Sequence, residues 1–333
     1  MHLDAQRPDL LEDYLKQQGW LSDNEIITLI EKPGEGNMNY TLRVRTNAQS
    51  LIVKQARPYV EKYPQIPAPA RRAVIEAQFY EMIERFPDLQ AFMPELSGKD
   101  DENCVLVLQD LGSSSDYTFL YQPGQTLTEP EIVSLVRFVS LLHNRFTIVL
   151  PDMRFENRAM RALNHEHLFQ YPFMVDTGFS LDTIQPGLQE AAMPYKTDEA
   201  LKRVVRQLGE IYLGQASTAS GRTLLHGDYY PGSWLKTTAG VKVIDPEFCF
   251  YGPPEFELGV MLAHLKMARQ PQPVIDLALA QYDRPNRFDE RLQHAFAGVE
   301  ILRRLIGLAQ LPLSLDLTEK QTLMQEARSM LVD

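Results

Sequence analysis

Two short motifs constrain this chain more than anything else in it: LLHGDYYPGSWL at residues 224 to 235 and, one turn and one strand later, VKVIDPEFCFYG at residues 241 to 252. In-line phosphoryl transfer needs one carboxylate to hold an attacking hydroxyl and another to hold magnesium on nucleotide phosphates. Asp228 and Asp245 stand in those two contexts, the first in a tight loop and the second at the end of a β-branched strand. Taken singly, HGD also suits a surface turn, and Asp245 a strand-end acid that satisfies backbone donors. The two in order make phosphoryl transfer the expected chemistry.

At 333 residues the chain exceeds a typical single-core domain, and its 44% apolar and 23% charged residues are those of an ordinary globular protein. Two lobes are therefore expected. A formal net charge of -11, without a run of Lys or Arg, argues against a nucleic-acid partner and for a small polar substrate. The first twenty residues hold no apolar run long enough for a signal peptide or membrane span, so a cytoplasmic protein without a membrane partner is expected. A homodimer is compatible with the sequence but leaves no trace in it. The two cysteines, Cys104 and Cys249, lack metal-ligand spacing and read as buried apolar thiols.

Period and punctuation divide the chain at about residue 110. Residues 9 to 18 read as a short amphipathic helix; NEIITLIEK, NYTLRVRT and SLIVKQA then read as three consecutive antiparallel strands. RRAVIEAQFYEMIERF has helical spacing and stops before Pro87, NCVLVLQ at 103 to 109 is another strand, and DLGSSSD at 110 to 116 is a turn-rich linker. Beyond it the pattern is mostly helical, beginning where Thr128 and Glu131 have capping-box spacing. Residues 147 to 194 read as a loop-rich insertion, followed by the helix DEALKRVVRQLGEIYL, the HGD segment with its hairpin, and four closing helices. The expected fold class is α+β and protein-kinase-like: residues 1–110 a nucleotide-binding lobe with a small antiparallel sheet and one helix, residues 111–333 a larger α-helical catalytic and substrate-binding lobe.

Several further residues fit that chemistry. Ser233 lies five positions after Asp228, the interval that separates the base from a magnesium-binding Asn in protein kinases. Glu247 follows Asp245 by two, so both carboxylates are expected to face a metal across Pro246; a merely solvated Glu247 is the alternative. Alternation in LIVKQ sends Leu51 and Val53 to one face and Ile52 and Lys54 to the other, where Lys54 needs a partner. Glu76, nearer the start of the following helix than its rival Glu81, is the candidate, in a pair that would orient Lys54 toward phosphates. PGEGNMNYTLRV puts Gly34, Gly36 and Asn37 in a hairpin suited either to covering phosphates or to turning the chain. Of Arg303 and Arg304, adjacent on a late helix, one must leave the apolar stripe, toward a transferring phosphate or into a packing ion pair. Among the histidines, His226 is expected to brace the HGD loop and His143 to pack.

Together these segments resemble the aminoglycoside phosphotransferase and choline kinase superfamily, most of all its methylthioribose kinases, over about residues 31 to 310. The resemblance implies an ATP-dependent kinase acting on a hydroxyl of a small polar metabolite, 5-methylthioribose first, with Mg2+ as cofactor. It makes Asp228 the base, Lys54 and Glu76 the nucleotide-orienting pair, and Asp245 with Glu247 the magnesium carboxylates. Gln109, Asp110 and Leu111 fall in the adenine-contacting hinge it implies, and Tyr230 with Arg303 or Arg304 at the acceptor. The chain departs from the family where Tyr229 and Tyr230 replace the usual residues after HGD, and where Glu257 stands for a more common Asp. Another acceptor (an aminoglycoside, choline, an amino alcohol or another sugar) or a non-catalytic nucleotide-binding module are the alternatives.

Overall fold

The computed structural model describes residues 2–34, 36, 38–147 and 152–332. The chain divides into two compact units, Met1–Ser114 with Thr237–Cys249, and Ser115–Lys236 with Phe250–Asp333. The segment bearing Asp245 and Glu247 thus belongs with the first unit, although it lies far beyond residue 110, where the sequence reading drew its boundary.

The first unit is built on a five-stranded antiparallel sheet, in the order Ile27–Glu31, Tyr40–Thr46, Ser50–Gln55, Val105–Gln109, Leu96–Asp100. Alternation decides its two faces. Leu42, Val44, Leu51, Val53, Val105 and Val107 share a core with Leu11, Tyr14 and Leu15 of the helix Pro8–Gln17. Leu106 clusters with Ala56 and with Ala73 and Ala77 of the helix Arg72–Ile83. Three strands, both helices and the strand before residue 110 follow the sequence reading. The strand Leu96–Asp100 and the hairpin Tyr59–Val60/Tyr63–Pro67 do not, since neither has an apolar alternation to announce it.

The second unit is helical. Glu129–Arg145 begins with the expected capping box between Thr128 and Glu131 and buries Ile132, Leu135, Val136, Val139 and Leu142 along one stripe. Pro254–Met267 packs on Glu290–Ile306 so closely that a Cβ on Gly259 would lie 2.6 Å from the Gln293 carbonyl oxygen. The stretch expected to be loop-rich instead contains the helices Arg158–His165 and Leu188–Lys196 and a π-helical turn, Glu166–Gln170. These elements are short, and Pro194 lies inside the helix Leu188–Lys196, which hid them. Likewise the linker carries a short strand, Ser114–Asp116. Cys249 is buried as expected; Cys104 is only partly so, because it occupies a left-handed turn (φ 53°) just before its strand. No described helix is long and apolar enough to cross a membrane.

Candidate active site

In the first unit, Lys54 pairs in register with Thr41 and Leu106 and points to the face covered by the helix Arg72–Ile83. Its buried ammonium donates to Glu76 at 2.9 Å and to Asp245 at 2.6 Å. The rival Glu81 is engaged elsewhere, by Lys99 at 2.7 Å. Asp245 turns the strand Gly240–Val243 into a 3-10 turn through a left-handed backbone, φ 63° and ψ 51°, a conformation that costs a non-glycine residue about 1–3 kcal/mol. The turn leaves 43% of the Asp245 side chain exposed while Lys54 holds one of its oxygens.

Glu247 goes the other way. It is buried, accepts from Asn39 at 2.7 Å and lies 3.2 Å from the fully buried guanidinium of Arg72. Arg72 also donates to Asn39 Oδ1 and to the carbonyls of Met38 and Arg57, tying three segments together. The two carboxylates expected to face one metal therefore diverge, Asp245 outward and Glu247 into this anchor.

Two cations, Lys54 and Arg72, thus serve three carboxylates, Glu76, Asp245 and Glu247. Burial opposes the charge on Lys54, but Asp245, Glu76 and Glu247 override it and carry its pKa well above the lysine norm. Burial lifts the carboxyl of Glu76 to about 8 against the pull of Lys54, with Asp245 and Glu247 adding to the rise. Among the described residues no group of three His, Cys, Asp or Glu side chains is arranged to hold a metal.

In the second unit, the strand Thr223–Leu225 pairs antiparallel with Phe250–Gly252 and passes the chain to His226, Gly227 (φ 87°) and Asp228. Glu257, in the first turn of the helix Pro254–Met267, accepts the N–H groups of His226 at 3.1 Å and Gly227 at 2.7 Å; His143 Nε2 lies 2.9 Å away. Burial would raise this carboxyl, yet His143, His226 and the Gly227 amide hold it below the glutamate norm. His226 Nδ1 accepts from the Asp228 N–H at 3.4 Å, which is the brace expected of it. His143 does more than pack, since its other nitrogen meets Tyr282 Oη at 2.7 Å.

The rest of the loop is fixed from both ends. Ser233 is buried and its hydroxyl donates to the Asp228 carbonyl at 2.8 Å, so it braces the loop backbone. Tyr229 is fully buried, stacked on Phe138 and donating to the Leu135 carbonyl at 2.9 Å. Arg304 Nη2 lies 3.8 Å from Asp228 Oδ1, and its guanidinium sits 5.0 Å from the centre of the Tyr230 ring. A Cβ on Gly232 would lie 2.4 Å from that ring, so glycine there lets the ring keep its place beside Arg304. Glu300 holds both arginines, Arg304 Nε at 2.6 Å and Arg303 Nη1 at 3.0 Å, and meets His264 Nε2 at 3.1 Å. Of the two arginines, Arg304 is the one that reaches Asp228.

The remaining candidates are less engaged. Gly34 and Gly36 lie between the first two strands, with nothing within 4 Å of a Cβ on Gly34; Asn37 lies outside the described residues. In the expected hinge, Asp110 binds Arg43 at 2.9 Å and Ser50 at 2.5 Å, Gln109 is exposed at a strand end, and Leu111 follows as a partly buried residue. The sequence reading missed Arg72, Asn39 and Glu300, and gave Glu257 and Tyr229 no structural role. Only the charge of Glu300, four residues before Arg304 on one helix face, was a signal available in advance.

Phosphotransferases of this kind form a family, and the model of that phosphotransferase enzyme family matches residues 30–292. The chain belongs to it. Among curated proteins it is 26% identical to a methylthioribose kinase of Bacillus cereus (strain B4264) over 261 residues, 76% of this chain and 63% of that one. It is 24% identical to another of Bacillus cereus (strain AH820) over 360 residues, 96% of this chain and 88% of that one. The first match thus spans under two thirds of its relative's length. The fold is kinase-like: a choline kinase from Cryptosporidium parvum Iowa II superposes with a TM-score of 0.57 at 12% identity, covering 97% of this chain and 96% of that one. A spectinomycin phosphotransferase in complex with ADP and spectinomycin does so at 0.54 and 12%, covering 99% of this chain and 98% of that one.

Proposed function

We propose that the chain is an ATP-dependent small-molecule kinase, transferring the γ-phosphoryl group to a hydroxyl of a small polar metabolite, with 5-methylthioribose the first acceptor to test. The observation that carries this reading is the seat of Asp228. Its loop is pinned by Glu257, His226 and Ser233, and a guanidinium lies 3.8 Å from its carboxylate. A rigid loop with a partly exposed carboxylate is what orienting an alcohol and accepting its proton requires. Arg304, beside the base, is placed to stabilise charge on the incoming phosphoryl group.

On this reading Lys54, fixed by Glu76, neutralises nucleotide phosphates. Magnesium bound through one or two carboxylates and substrate phosphates needs no all-protein cage, and the exposed carboxylate of Asp245 is a hard-oxygen donor of the right kind. When bound, the ion would supply charge neutralisation at the phosphates. Glu247, consumed by Arg72 and Asn39, supports the turn of Asp245, and Ser233, donating to the Asp228 carbonyl, supports the loop of the base. Gly34, Gly36, Asn37 and the segment Gln109, Asp110 and Leu111 are assigned to the nucleotide through the family resemblance, and a cytoplasmic setting suits ATP as co-substrate.

The test is coupled ADP release with ATP and magnesium over an acceptor panel of 5-methylthioribose, other sugars, choline, ethanolamine and an aminoglycoside. Acceptor-dependent ADP release, with 5-methylthioribose foremost, is expected. Nucleotide binding without transfer to any acceptor would replace the kinase reading with that of a non-catalytic module.

A further inference from the structure

We propose that His167 is an acceptor-binding residue, presented by a π-helical turn beside Arg303 and Arg304 to hydrogen-bond a hydroxyl of an acceptor that carries no ammonium group. The inference rests on the kinase reading above and names a residue and a substrate class for it. The helix Arg158–His165 does not stop at its last α-turn; it widens into the π-turn Glu166–Gln170 and tightens again at Tyr171–Phe173. Such single π-turns within helices are rare and are found frequently at functional sites.

Here the turn packs on the helix Glu290–Ile306, near whose end a Cβ on Gly307 would lie 3.1 Å from Pro172. Leu168 and Phe169 are buried and anchor the turn, while His167 is only partly buried, its ring 5.1 Å from that of Tyr171. Among the described residues its ring nitrogens have no hydrogen-bond partner. Burial, reinforced by Arg303 and Arg304, lowers its pKa to about 4. At neutral pH it is an uncharged imidazole with one donor and one acceptor to offer.

The surroundings select against amines. Arg303 and Arg304 are balanced by Glu300 and Asp228, and burial keeps His264 neutral by lowering its pKa to about 4, so among the described residues the carboxylates paired with these two arginines already face cations. The face of Tyr230, which a quaternary ammonium would otherwise use, is already covered by Arg304. A polyol, neutral or bearing an acidic group, fits this wall; choline and amino alcohols do not.

Steady-state ADP release with 5-methylthioribose, or the best acceptor of the panel above, separates binding from packing. His167→Phe keeps the ring against Tyr171 and loses the hydrogen bond. It should raise acceptor KM about 5- to 10-fold, the value of one neutral hydrogen bond, with ATP KM unchanged, and His167→Asn should restore most of the loss. An unchanged acceptor KM in His167→Phe, or choline or ethanolamine as the best acceptor of the wild type, overturns the proposal while leaving the kinase intact. A wild-type protein that transfers phosphate to nothing removes the kinase reading itself, and the proposal with it.

Discussion

Glu257 offers the sharpest test of how the loop of Asp228 is held. Glu257→Ala removes the acceptor for two buried backbone donors, at 3.1 and 2.7 Å, and the partner of His143 at 2.9 Å. Each orphaned buried donor costs about 1–3 kcal/mol, and breaking a buried charge-assisted contact as a whole costs roughly 3–5 kcal/mol. Because one carboxylate serves all three, the losses share a cause and do not sum, so the total should fall in that second range. At about 2–4 °C per kcal/mol for a unit of this size, the melting temperature should drop by roughly 6–20 °C in scanning calorimetry. The pH dependence has a definite sign. This carboxyl is held below its ordinary value of 4.5, so its contribution is present above that value and is lost as pH falls through the depressed one. The alanine variant should therefore lose less stability than the wild type on acidification. A melting temperature within about 2 °C of wild type at neutral pH would refute the claim that Glu257 pins this loop.

Other consequences follow from the same two clusters. Burial raises the Glu76 carboxyl to about 8, so its proton contributes stability that is complete below 4.5 and lost as pH climbs through about 8. Glu76→Gln should flatten the unfolding free energy across that window, and an unaltered slope in urea titrations at several pH values would count against it. Gly232→Ala drives a methyl to within 2.4 Å of the Tyr230 ring and must displace it from Arg304. Turnover should fall about tenfold or more, a loss of roughly 1.4 kcal/mol or more at the barrier, with the circular dichroism spectrum unchanged; wild-type turnover would show the ring to be idle.

What the sequence revealed tracks how local the determining physics is. The first three strands, the last of which carries Lys54, the side of the sheet Lys54 takes and its pairing with Glu76 depend on alternation and helix position over short stretches of chain, and all are as read. The capping box at Thr128 and Glu131 is local too. By contrast, the return of residues 237–249 to the first unit depends on contacts far apart in sequence. So does the capture of Glu247 by Arg72 and Asn39, which divides two acids that spacing alone would join. Tyr229 stands beside Asp228 as a departure from the family pattern, yet its ring fills the core against Phe138. The π-turn at Glu166–Gln170 has no sequence signal at all, because its extra residue is admitted by packing on a helix more than a hundred residues later.

The role assigned to Asp228 is tested most directly by Asp228→Asn, which keeps the shape of the side chain and removes its basicity. Measured side by side, acceptor-dependent ADP release should fall about 10²- to 10⁴-fold, while the Kd for magnesium–ATP stays within about threefold of wild type. Turnover undiminished in that variant would contradict the account.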